Sequence, residues 1–194
     1  MRRIREMRDA RTSGNDRDDR GAVIVESAIV ITVLLVLFFG VLEFGMLLRS
    51  QHALAEATPT GARAASSLPR TDGYHTAAAE AVAASLQASI PSDAVLDLVI
   101  YKADPVTGSS NFNGCGSCYR FEWNRTTQQF DPITGQAWNF DDQKACGEVG
   151  TTHFVGVFVT GEYDFVITFW SDNVTLSDKP VMRLEPIIDS AVCS

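Results

Sequence analysis

Hydrophobic and polar positions along this 194-residue chain follow three patterns in succession. The first is nearly unbroken apolarity. No side chain from Ala28 to Leu42 is charged, and the apolar run extends from Ala22 to Leu48 with only Glu26 and Glu43 interrupting it. As a helix, residues 22–48 would reach about 40 Å, against a hydrocarbon core of about 30 Å. A helix is also the one single-segment structure that satisfies its own backbone in lipid. Core helices of soluble proteins rarely stay apolar on every face for so long. The stretch therefore reads as one transmembrane helix.

The second pattern has helical spacing. Beyond Leu48, Ala53, Leu54, Ala57, Ala62 and Ala65 extend the helix to about residue 67. Pro59 predicts an irregularity there, because it lacks an amide donor and crowds the preceding turn. Pro69 to Gly73 is a break. Residues 76–90 then read as a second helix with Ala79, Val82, Ala83 and Leu86 on one face, stopped by Pro91.

The third pattern is extended. Val95 to Tyr101 and Tyr119 to Trp123 read as strands, separated by a turn-rich loop from Pro105 to Gly116. The region up to Gly150 reads as irregular. HFVGVFVT and YDFVITFW, separated by Gly161-Glu162, predict a hairpin, and residues 182–186 a last short strand. The predicted fold is α+β: a long N-terminal transmembrane helix leading into a small extracytoplasmic antiparallel sheet. The expected divisions are a leader (1–21), a membrane helix (22–48), a helical segment (49–90) and a β-rich domain (91–194).

Charge orients this arrangement. The first 21 residues hold seven Arg and five acidic residues and lack an apolar core, which predicts an unfolded tail. Arg17 and Arg20 lie just before the helix, while only Arg49 and Arg63 closely follow it, so the tail is expected in the cytoplasm. A secretory signal peptide has a shorter apolar core, with its cleavage site after it. Of the chain's 16 basic and 24 acidic residues, the part beyond residue 21 keeps 9 and 19, a balance of −10. An acidic surface argues against nucleic acid as a partner. All four cysteines, Cys115, Cys118, Cys146 and Cys193, lie beyond the helix, which suggests disulfides in an oxidising compartment. Bridges from the Cys115/Cys118 pair to Cys146 and Cys193 close the longer loops, although three pairings are open.

The polar residues at the head of the helix add a more specific signal. Glu26 is the fifth residue after Gly21, and a carboxylate at the edge of an apolar helix calls for a partner. A cut after Gly21 would create one, the α-amino group of Ala22 on this or a neighbouring subunit. Gly21, four residues and Glu26 at the head of an apolar helix resemble the processing signal of type IV prepilins. Arg20-Gly21, Glu26, Gly40, Glu43-Phe44-Gly45 and Gly61-Ala62-Arg63 together resemble the N-terminal signature of the TadE-like family, the small pseudopilins of Tad (Flp) pilus systems. Ser27 departs from the aromatic residue common there, and Arg183-Leu184-Glu185 resembles the family's C-terminal ending.

The resemblance implies a pilin-like architecture and processing by a prepilin peptidase at Gly21 and Ala22. Its implied partners are other Tad pilins and pseudopilins, the assembly-platform membrane proteins and the lipid bilayer. Glu26, Glu43, Phe44 and Gly45 are the expected helix contacts, and the location is the cytoplasmic membrane or the pilus. Neither enzymatic activity nor a cofactor is implied. The alternative is an uncleaved single-pass anchor displaying an extracytoplasmic binding domain.

Other motifs carry weaker chemistry. Cys115-Gly-Ser-Cys118 has redox spacing but no following helix to lower a thiol pKa, and zinc would need Cys146 and Cys193 as further ligands. A membrane-tethered thiol oxidoreductase is thus a third, weaker reading. His52, His75 and His153 fall in different elements and suggest no triad. Asp141, Asp142 and Glu148 lack calcium-loop spacing. No metal site is expected, and the sequons at Asn124 and Asn173 are of a kind that arises by chance.

Overall fold

The computed structural model describes residues 2–87, 95–104, 106–107, 116–133, 138–145, 152–165 and 173–187. The chain divides into two compact units, Met1–Gly45 and Met46–Ser194. Helix α1 spans Arg2–Ser67 and helix α2 Tyr74–Leu86. The strands are β1 (Val95–Ala103), β2 (Cys118–Asn124), β3 (Gln129–Ile133), β4 (Phe154–Asp164), β5 (Asn173–Asp178) and β6 (Val181–Arg183). This is the expected α+β class, an N-terminal apolar helix with a C-terminal antiparallel sheet.

The tail is not unfolded, since the helix already begins at Arg2. Arg, Glu and Met are good helix formers, and Gly14 is the only glycine before Gly21. Pro59 lies inside the helix without ending it. Thr58 and Thr60 flank that proline, and their hydroxyls reach the Leu54 and Ala57 carbonyls at 3.0 and 2.6 Å, back-bonding the turn that the proline crowds. Thr58 also hydrogen-bonds the Asp178 carboxylate at the end of β5.

In the C-terminal unit, α1 buries a stripe through Leu54, Ala57, Ala62 and Ala65, and α2 buries Ala78, Ala79, Val82, Ala83 and Leu86. The small side chains allow close helix packing. At Gly61 an added Cβ would lie 2.3 Å from Val82 Cγ2 and 3.1 Å from the Ala78 carbonyl oxygen. The turn between the helices places Arg70 at φ 55° and Gly73 at φ 81°. The Glu185 amide donates to the Ser66 carbonyl at 2.9 Å, satisfying one of the groups left open at the end of α1.

The strands form one antiparallel sheet in the order β3-β2-β1-β4-β5, with β6 also paired to β4. Alternation along β1 separates two faces. Leu96, Leu98 and Ile100 join Phe121, Trp123, Val155, Val157 and Val159 in the core shared with both helices. Val99, Tyr101, Ala103 and Cys118 form a second cluster, with Phe154, Phe158 and Val181 packed against it. Tyr101 pairs with Gly156, where an added Cβ would come within 2.2 Å of the tyrosine ring.

The expected hairpin at Gly161-Glu162 is absent. Those residues lie inside β4, with Gly161 opposite Leu96 on one side and Leu176 on the other. Pairing with β1 along nine positions, and with β5 beyond, outweighs a local turn preference. The second half of that expected hairpin, residues 166–170, lies outside the described residues. A real hairpin joins β2 and β3 where irregular chain was expected. Asn124 Oδ1 accepts the Thr126 and Thr127 amides at 2.9 and 3.2 Å, and Gln128 takes φ 53°. The two helices, β1, β2 and the short strand near residue 182 agree with expectation.

Gly61→Val and Gly156→Ala each place atoms where the core is full. Each should destabilise the C-terminal unit by about 1–3 kcal/mol, read as an earlier denaturant midpoint.

Candidate functional site

From Gly21 to Phe39 every residue of α1 is exposed, including Val23, Ile24, Ile29, Leu34, Leu37 and Phe38. Exposed apolar area on this scale has no counterpart on a water-facing surface. The helix is long and apolar enough to cross a membrane, and its most apolar window is 0% buried, unlike the core helix of a soluble protein. Its one threonine in this stretch is locally satisfied, the Thr32 hydroxyl donating to the Ala28 carbonyl at 2.8 Å.

The fold treats the two glutamates differently. Glu26 is exposed, whereas Glu43 is only 5% exposed between exposed Leu42 and Phe44. Seventeen residues separate them, which at 3.6 residues per turn puts them about 100° apart around the helix. Ala22 and Glu26, four residues apart, share one face about 6 Å apart along the axis. Phe44 lies five turns beyond Glu26 on that same face and is exposed, as is Gly45. An added Cβ would meet nothing within 4 Å at Gly21, Gly40 or Gly45. Packing within the chain therefore does not account for these three glycines. Small residues on apolar helices allow another helix to approach closely.

The remaining sequence candidates are dispersed. Cys118 opens strand β2, is buried and carries no free thiol, so no helix N-terminus is present to activate it. Cys115, Cys146, Cys193 and Glu148 lie outside the described residues. Among the described residues no group of three His, Cys, Asp or Glu is arranged to hold a metal. The Asn124 sequon is part of the β2–β3 turn, with its Nδ2 donating to Asp131 at 2.8 Å.

His52 is exposed on α1. His75, on α2, stacks on Tyr119 with ring centroids 3.7 Å apart, and burial holds its pKa below the ordinary value against the opposing charge of Asp72. His153 precedes β4 and is likewise held low, first by burial and then by Lys102 and Lys144. Sequence reading missed Arg70 and Gln143. The Arg70 amide donates to Gln143 Oε1 at 2.7 Å, and its guanidinium donates to the Asp141 and Gln143 carbonyls at 2.9 and 3.1 Å.

These features define a chain with, among the described residues, one candidate membrane-spanning helix and an antiparallel α+β unit. Residues 21–63 match the family model described as TadE-like protein. The matched stretch holds Gly21, Glu26, Gly40, Glu43, Phe44, Gly45 and Gly61. No curated protein and no solved structure matches the chain.

The open surroundings of Gly40 distinguish it from Gly61. Gly40→Ala should leave the C-terminal unit's denaturant midpoint unchanged and favour the helix by about 1 kcal/mol. Thermal and chemical unfolding of Gly40→Ala and Gly61→Val, measured side by side in detergent, checks the contrast.

Proposed function

We propose that this protein is a TadE-like pseudopilin, processed by a prepilin peptidase between Gly21 and Ala22 and assembled into, or in support of, a Tad pilus through its apolar helix. The observation that carries this reading is the exposed apolar surface of α1, headed by Gly21 and the exposed carboxylate of Glu26, within the matched residues 21–63. The arginine-rich leader stays in the cytoplasm and the C-terminal unit lies outside. After cleavage, the α-amino group of Ala22 on one subunit neutralises Glu26 on a neighbour. Opposite charges attract far more strongly once lipid excludes water, so this pair sets the register between packed helices. Gly40 and Gly45 let the partner helix approach. The protein's role is structural, with bond cleavage carried out by the peptidase and force supplied by other components.

Two disulfides belong to this proposal. Bridges from Cys115 and Cys118 to Cys146 and Cys193 would tie the start of β2 to distant parts of the chain, at about 2–4 kcal/mol each. The lack of a free thiol at Cys118 supports them.

One observation favours the uncleaved anchor. Helix α1 passes through Gly21 without a break, so a peptidase must unwind it to reach the bond. N-terminal sequencing and intact mass of the protein from its host membranes separate the readings. Processing predicts an N-terminus at Ala22, and a full-length chain beside an active peptidase rejects it. Two disulfides predict a gain of four hydrogens on reduction. Glu26→Leu should keep the protein in the membrane but remove it from sheared pili, whereas undiminished pilus incorporation would exclude the proposed pairing.

A further inference from the structure

Residues 138–145 form a strap across the C-terminal unit, regular only in the 3-10 turn Phe140–Asp142. It is held from two sides. On the helical side are the three Arg70 bonds and the Tyr74 hydroxyl, which donates to the Trp138 carbonyl at 2.9 Å. Burial pushes the Tyr74 pKa well up, so this hydroxyl remains a donor. On the sheet side, the His153 amide donates to the Lys144 carbonyl at 2.8 Å, and the Lys144 amide donates to His153 Nδ1 at 3.0 Å. The Ile187 amide adds a bond to the Ala145 carbonyl at 2.8 Å.

The Lys144–His153 exchange has a chemical requirement. A backbone N–H can only donate, so Nδ1 must carry a lone pair and the imidazole is neutral, with its proton on Nε2. A second proton would set two donors against each other. The surrounding charges oppose that proton as well. Lys102 comes from β1 and Lys144 from the strap, and both disfavour the imidazolium. Arg183 of β6 bonds the neighbouring Thr152 hydroxyl at 2.9 Å. Leu184 donates its amide to the His153 carbonyl, and Glu185, next in the chain, has an exposed side chain. The Trp138 ring, 5.9 Å from the imidazole, is uncharged.

We propose that His153 is an acid-sensitive latch: protonating its imidazole breaks the bond from the Lys144 amide and loosens the 138–145 strap where it meets the start of β4. Its folded pKa lies below the ordinary imidazole value of about 6.5, so the latch contributes fully above that pH. The contribution is lost as pH falls through the folded value, because the released state binds the proton more readily. The strap would still be held by Arg70, Tyr74 and the backbone bonds from the His153 and Ile187 amides, so the response is local before it is global.

Amide hydrogen exchange on the full chain in detergent micelles, at pH 7.5 and pH 5.0 and corrected for intrinsic rates, tests this. Protection of the Lys144 amide should fall as pH drops below about 6.5, by up to about tenfold per pH unit until the folded pKa is reached, and then level off, following the titration of one group. His153→Gln offers the same amide a side-chain carbonyl that does not titrate, and its protection should be equal at the two pH values. Equal protection in the wild-type protein, or an equal loss in His153→Gln, would overturn the proposal; the latter outcome would move the acid response to another group such as His75. If His153→Gln does not fold, proton NMR titration of wild-type His153 decides. A value below 6.5 with a coincident shift of the Lys144 amide supports the latch, and a value at or above 6.5 sinks it.

Discussion

One helix carries two kinds of surface, one suited to lipid and one to water, and that constraint runs through the rest of the chain. In lipid, every backbone group must be paired within the segment, while side chains can be apolar in all directions. In water, a helix must hide one apolar stripe and expose polar residues elsewhere. Helix α1 meets the first condition from Gly21 onward, with exposed Val, Leu, Ile and Phe all round. By Leu54 it meets the second, with Leu54, Ala57, Ala62 and Ala65 in the core and Gln51, His52, Glu56 and Arg63 outside it. The change in side-chain pattern, with no change in backbone form, marks where the surroundings change.

Much of this was legible because apolar periodicity is a dense signal. The apolar run from Ala22 to Leu48, with no charge from Ala28 to Leu42, marks the candidate membrane helix. The α2 face and the alternating residues of β1 follow from the same logic. What failed to show was decided by distant pairing. Gly161-Glu162 looks like a turn locally, yet it lies between Leu96 and Leu176, residues tens of positions away. Strand β3 carries Asp131 and Pro132, residues depleted in strands, and is recruited by pairing with β2 across a turn that contains no glycine. The helical tail was misread because its charge balance outweighed its helix propensity in the reading.

The candidate site was legible to a different degree. Gly21, Glu26, Glu43, Phe44 and Gly45 stand out because polar or small residues are anomalous in an apolar run. Their surroundings were not readable, and it is the structure that separates exposed Glu26 from buried Glu43. Arg70 gives no sequence signal at all. Left-handed backbone at φ 55° is a place for glycine or asparagine, and here the arginine is retained with three hydrogen bonds to residues more than seventy positions away. No local pattern encodes such a pairing.

Under the proposed assembly role, the sheet gives an independent reason to look to the helix for the contacts. An exposed sheet edge is a template for adding another strand, and proteins that avoid this keep edge strands short or interrupt them with proline. Among the described residues, β3 at one edge has five residues including Pro132. At the other edge β5 and β6 keep a single register along β4, Val159 opposite Asp178 and Gly156 opposite Val181, but Pro180 interrupts the ladder between them. Pro180 still accepts the Val157 amide through its carbonyl, at 3.1 Å, but has no amide to return. Short, proline-marked edges are poor sites for strand addition between subunits. The helix, with open space beside Gly21, Gly40 and Gly45, presents the opposite surface, one that the chain itself leaves uncovered.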